Sequence, residues 1–188
     1  MKNKLIKIII VAIGAFILIG CGGNNTNTTK TTGSITVSTE TFDEDTGAIT
    51  QNTTLDIGNT QTTVALSEGT VFIDEDNNTI SEPPQAKANV TRTQTTTTSE
   101  LQLSTAQGDR IIPSEPLRVS VPAPIGARVG DRVRIEVPDG IKSVTKMEKI
   151  ITAIVNPNNT VDIMIEPTVF RNFNTIPIVI KTFDYSTN

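Results

Sequence analysis

Beyond Gly33 the chain is written in short runs in which apolar and polar residues alternate. Ser34-Ile-Thr-Val-Ser-Thr39 sets Ile35 and Val37 on one face. The same period of two recurs at Leu117–Val121, Arg132–Val137, Thr160–Glu166 and Thr175–Lys181. Successive strand side chains point to opposite faces, so the pattern predicts half-buried β-strands. Pro177 has no N–H to give a ladder, which predicts an edge or a bulge for the last strand. Gly108-Asp109, Gly130-Asp131, Asp139-Gly140 and Asn156-Pro-Asn-Asn159 are turn formers between the runs. One stretch reads two ways. Ile141, Val144, Met147, Ile151 and Ile154 also fit a helical face. The preferred reading is a turn or short helix over 141–147, then a strand from Glu148 to Val155.

Before Gly33 the pattern is different. Met1 to Lys7 is short and cationic, and Ile8 to Ile19 is an apolar run interrupted only by Gly14. The run is too short for a comfortable membrane span, which needs about 20 apolar residues. A positive start, a short apolar stretch and a small residue before a cut mark a secretory leader. Leu18-Ile19-Gly20-Cys21 resembles the bacterial lipobox, the recognition site of lipoprotein processing. The resemblance implies that the thiol of Cys21 is diacylglycerated. It also implies that signal peptidase II cuts before Cys21, reading Leu18, Ile19 and Gly20, and that the new amino group is commonly acylated. A thiolate suits that role because it is nucleophilic enough to form the thioether. Residues 22–33 follow, rich in Gly, Asn and Thr and without an apolar side chain. They are expected to be a flexible tether that docks on nothing. Gly22 follows the Cys where Asp would favour inner-membrane retention, so the analogy points to the outer membrane if the envelope is Gram-negative, and otherwise to the outer face of the cell membrane.

Thirty-one threonines accompany many Val and Ile, residue types that suit a pleated surface. Many short strands at this spacing predict an all-β fold, a sandwich or barrel. The expected organisation is a leader over 1–20, a tether over 21–33 carrying the lipidated Cys, and one β-sandwich domain over 34–188. Ile112-Pro-Ser-Glu-Pro116 leaves a division near 113–116 open. Glu68-Gly-Thr-Val-Phe-Ile-Asp-Glu-Asp-Asn-Asn-Thr-Ile-Ser81 resembles a module of bacterial surface proteins, where a Gly-Thr strand opening runs into an Asp-rich turn. That resemblance implies an immunoglobulin-like antiparallel sandwich, with Asn78 standing where the pattern usually has Gly. A shorter echo sets Asp43–Thr50 beside Asp74–Ser81, with Gly47 and Asn78 at matching places that tolerate positive φ.

Composition narrows the chemistry. The chain has no His and no Trp, and Cys21 is its single Cys. A Ser-His-Asp triad, a Cys-His nucleophile and a His/Cys zinc site are all excluded, and so is a disulfide within the chain. Carbohydrate sites are disfavoured, since Tyr185 is the single Tyr and flat aromatic platforms are scarce. No catalytic residues, cofactor or metal ligands are assigned. The formal net charge is −4, and losing the leader's Lys2, Lys4 and Lys7 makes it −7. No concentrated basic surface argues for nucleic acid. Residues 22–91 hold ten acidic and two basic groups, whereas 92–188 hold ten and eleven.

A few features carry candidate chemistry. Asp74, Asp76 and Asn78 have the spacing that opens a calcium loop, but Thr79 replaces its Gly and Gln85 its bidentate Glu. Arg128, Arg132 and Arg134, then Lys142, Lys146 and Lys149, form a basic stretch that could meet an anionic surface. On an anionic leaflet the acidic half would be repelled, turning the Arg128–Arg134 side inward and the Asp43 and Asp74 turns outward. Asn77-Asn78-Thr79 is a glycosylation sequon, and Thr95–Thr98 could carry O-glycans. The expectation is a non-enzymatic envelope lipoprotein, held by its lipid and serving a structural or protein-interaction role with an envelope or surface protein. The alternative is a surface ligand-binding or adhesive module, with calcium at the acidic turns.

Overall fold

The computed structural model describes residues 27–138 and 149–183. They form antiparallel sheets and one short helix, an all-β, sandwich-like fold. The strands are β1 (Thr29–Thr36), β2 (Phe42–Asp43), β3 (Ala48–Ile49), β4 (Thr53–Asp56), β5 (Thr63–Leu66), β6 (Phe72–Ile73), β7 (Gln85–Arg92), β8 (Thr96–Ser104), β9 (Ile112–Pro113), β10 (Leu117–Pro122), β11 (Arg132–Val137), β12 (Lys149–Ile154), β13 (Thr160–Ile165) and β14 (Ile176–Thr182). Helix α1 spans Pro167–Asn172. A six-stranded sheet runs β1-β7-β8-β14-β11-β12, and a four-stranded sheet runs β13-β10-β5-β4. Two ribbons, β2-β3 and β6-β9, complete the β-structure.

The alternation read from sequence becomes the core. Ile176, Ile178 and Ile180 of β14 are buried, as are Val133, Ile135 and Val137 of β11. Leu117, Val119 and Val121 of β10 and Val161, Ile163 and Ile165 of β13 face them from the smaller sheet, in one hydrophobic cluster. Register aligns these rows: Ala88 pairs with Leu101, which pairs with Ile176, and Ile180 pairs with Ile135, which pairs with Ile151. A one-residue slip would turn each row outward, so burial itself holds the register.

The sandwich has two ends, fixed by strand direction. The entry end is where β1 begins. It gathers the loops 57–62, 93–95, 123–131 and 155–159. Ile125 N–H donates to Thr93 O and Gly126 N–H to Gln94 O, both at 2.9 Å, tying the two sheets there. The far end gathers loops 37–52, 67–84, 105–116 and 166–175. Arg171 Nη2 donates to Asn77 Oδ1 at 3.0 Å across it.

Three expectations change. The segment 21–33 is not tether throughout, because β1 starts at Thr29 and pairs with β7 from Thr29–Arg92 to Thr36–Gln85. Strand pairing is made by the backbone, so a run without apolar side chains can still add to an open edge. Pro177 lies not on an edge strand but on β14, between β8 and β11. It pairs with Glu100 of β8, while pairing with β11 stops at Val179, so Pro177 meets no ladder partner on that flank. The residue with positive φ in the second acidic turn is Asn77 (67°), not Asn78. The segment near 113–116 is bound into the fold by the pairing of Phe72 with Pro113 and by a 3.0 Å bond from Val71 N–H to Ser114 Oγ. The leader, Cys21, Asp139-Gly140 and the 141–147 turn or helix lie outside the described residues. The strand expected over 148–155 is β12, Lys149–Ile154.

Candidate functional site

The two acidic turns close short hairpins at the far end. Asp43 pairs with Ala48 across the first. Ile73 bridges to Thr79 across the second, and Ala48 bridges to Val71, so the two hairpins lie side by side. Each aspartate that opens a turn also caps it. Asp45 N–H donates to Asp43 Oδ1, and Asp76 N–H to Asp74 Oδ1, both at 2.9 Å. This is the Asx turn that such residues favour. Asp74 is the more engaged: Asn78 N–H reaches Oδ1 at 2.8 Å and Asn78 Nδ2 reaches Oδ2 at 3.1 Å. The Asn78 side chain, then its backbone, hold the Asp74 carboxyl below the usual aspartate range. The Thr46 side chain, then the Asp45 backbone, do the same for Asp43. Both oxygens of Asp74 thus accept hydrogen bonds from their own loop. Among the described residues, no three His, Cys, Asp or Glu side chains gather in a metal-holding arrangement.

Beside the second turn lies an open cleft of about 410 Å³ lined by Glu75, Arg110, Ile112, Arg171 and Asn172. Arg110 Nη2 and Glu75 Oε1 form an ion pair at 2.8 Å. The Arg110 Nε is buried without a hydrogen-bond partner. The turn, the β8–β9 loop and α1 are thus joined through Arg110, Glu75, Asn77 and Arg171. Chemically the cleft is a place where a guanidinium fork meets a carboxylate. It holds a polar contact between three segments.

These residues lie far apart in sequence, and nothing in their spacing brings 75, 110 and 171 together. A second cluster was equally hidden. On the outer face of the smaller sheet, Arg118 and Ser120 both donate to Asp162. Burial pushes the Asp162 carboxyl up, but these hydrogen bonds outweigh it and leave the group below its ordinary value.

The remaining sequence candidates scatter. Cys21 with Leu18, Ile19 and Gly20 lies outside the described residues, as do Lys142 and Lys146. Arg128 and Arg132 are exposed at the entry end, while Arg134 pairs with Glu136 at 3.1 Å on the outer face of the large sheet. The basic stretch is therefore not one patch among the described residues. Asn77 is exposed, with its amide oxygen on Arg171. Thr95 is exposed in the β7–β8 turn, whereas Thr97 is fully buried. Compared with protein-family models, with curated proteins and with solved structures, the chain matches none of them. The site must be read on its own chemistry.

Proposed function

We propose that this chain is a bacterial lipoprotein precursor whose β-sandwich works as a non-enzymatic structural or protein-interaction module of the cell envelope. The observation that carries the reading is the ordered set at the N-terminus: cationic start, apolar run, Leu18-Ile19-Gly20-Cys21, then polar chain. The fold adds one consequence to this reading. β1 begins at Thr29, eight residues after Cys21, so an anchor there would hold the domain close to the bilayer. Two or three acyl chains would make that hold stable, where one is marginal.

The alternative, a ligand-binding or adhesive module using calcium at the acidic turns, has less support. Asp74 already accepts three hydrogen bonds from its own loop, two of them from the backbone N–H and side-chain Nδ2 of Asn78. A calorimetric calcium titration separates the two readings: strong heat that is lost in an Asp74→Ala, Asp76→Ala variant would favour the alternative.

Mass spectrometry of the mature N-terminal peptide tests the anchor. The expected result is a diacylglyceryl thioether on Cys21 as the first residue, and an unprocessed or released, non-acylated protein from Cys21→Ser. An unmodified Cys21, or a terminus elsewhere, would overturn the reading.

A further inference from the structure

We infer that the entry end of the sandwich is a docking face for an anionic lipid surface, and that the protein stands on the bilayer with its acidic end outward. The inference rests on the anchoring reading for where the membrane is. The face itself rests on two independent features of the fold, and the reach of the anchor ties it to the membrane.

The first is charge sorted along the strand axis rather than along the sequence. Among the described residues, the far-end loops carry four acidic residues in 37–52, five in 67–84, and Asp109, Glu115 and Glu166 beyond, against Arg110 and Arg171. The entry-end loops among the described residues carry Asp131 as their one acid, beside Arg128; of the strand ends that flank them, β4 closes on Asp56, while β7 closes on Arg92 and β11 opens on Arg132. Asp131 is turned to its own loop, where its Oδ2 accepts the Arg128 N–H at 2.8 Å. Antiparallel pairing alone produces this separation, because acids from both halves of the chain fall in loops that meet at one end.

The second is exposed apolar surface. Of five large apolar side chains exposed among the described residues, Val129 (57 %), Ile154 (57 %) and Phe183 (39 %) sit at the entry end. Ile154 is in register with Arg132, and Gly130 N–H donates to Val155 O at 2.9 Å, which sets the Val129 loop beside the end of β12. Phe183 follows Thr182, the register partner of Val133. Apolar side chains interleaved with arginines fit an interface of acyl chains and phosphates, where the guanidinium bonds the headgroup and the apolar tip enters beside it. An acidic protein partner would use the arginines but not this pairing.

The tie to the membrane is reach. Eight chain steps separate Cys21 from Thr29. Even fully extended they span at most about 28 Å. The eight residues of β1 then carry the chain about 26 Å toward the far end. The entry end is therefore the one an anchor at Cys21 would hold near the headgroups.

The chain has no Trp, so one introduced Trp reports its surroundings alone. The test is a full-chain Val129→Trp variant, purified and added to phosphatidylcholine vesicles with or without phosphatidylglycerol, part of the lipid being brominated. Glu44→Trp at the far end is the reference. The expected result is blue-shifted emission from Val129→Trp, quenched by brominated lipid when phosphatidylglycerol is present, with Glu44→Trp unaffected. Removing Arg128 and Arg132 together as glutamines should lower the docked-to-free ratio more than tenfold, at about fivefold per arginine. Equal quenching at both positions, or none at Val129→Trp, overturns the docking face. A blue shift already present before vesicles are added, and not quenched by brominated lipid, marks a protein contact and overturns it too. The mass of the N-terminal peptide is read on the same sample. Quenching without lipid on Cys21 keeps the face and removes the anchor, and lipid on Cys21 without quenching keeps the anchor and removes the face.

Discussion

Replacing Gly33 with alanine asks whether the first strand belongs to the domain. A Cβ on Gly33 would fall 2.5 Å from the carbonyl oxygen of Ile57, 3.1 Å from its carbonyl carbon and 3.2 Å from Thr60 Cγ2. That oxygen is not the tip of a flexible side chain. It accepts the Thr60 hydroxyl at 2.7 Å and the Thr60 N–H at 3.3 Å, while Ile57 N–H donates to Thr62 O at 2.9 Å. Ile57 and Thr60 are themselves buried, so the turn cannot yield without losing bonds away from water. Forcing atoms into a packed place costs typically about 1–3 kcal/mol. Alanine restricts the unfolded chain more than glycine and returns about 0.4–1 kcal/mol. The net is a loss of about 1–2 kcal/mol, or about 2–8 °C in Tm for a domain of this size. Thr32→Ala, exposed one residue away, is the control and should stay within about 0.5 kcal/mol. Urea unfolding of a fragment beginning at Asn27, followed by circular dichroism, is the assay. If Gly33→Ala and wild type unfold together, β1 does not lie against the Ile57 turn and the reasoning fails.

Three further outcomes are expected. A fragment beginning at Ser34 should unfold at lower urea than one beginning at Asn27, because it lacks the rungs from Thr29–Arg92 to Gly33–Ala88; equal midpoints would return 29–33 to the tether. Thr97→Val should raise stability by about 1 kcal/mol, since the Thr97 hydroxyl is buried without a partner and its loss leaves the shape unchanged; a less stable variant would mean that the hydroxyl is satisfied. Asp162 is net-lowered from 3.8, so the stability it lends is complete above that unfolded value and disappears as pH falls through the lower folded one. Asp162→Asn should therefore flatten the acid limb of the urea midpoint below about pH 4, and an acid limb identical to wild type would refute the role given to Arg118 and Ser120.

The strands from Leu117 onward were legible because a sheet with one buried face writes its period into the side chains. Arg132–Val137 matches its strand residue for residue, and Thr160–Ile165 and Ile176–Thr182 agree to within a residue or two. The anchor motif proposed at Leu18–Cys21 is legible for a different reason: a processing enzyme would read it as linear sequence. What sequence could not carry was anything made by backbone alone or by distant loops. β1 begins among threonines and Lys30 because an open edge of β7 accepts any N–H and C=O, so hydrophobicity gave no sign of it. Pro177 lies inside the sheet because β11 pairs no farther along β14 than Val179, and strand order is not a local property. The Arg110–Glu75–Arg171 cleft, the Asp162 cluster and the sorting of acids to one end all depend on which loops meet. Sequence determined the period of the strands; the tertiary structure decided the neighbours, because strand pairing joins residues without regard to their distance along the chain.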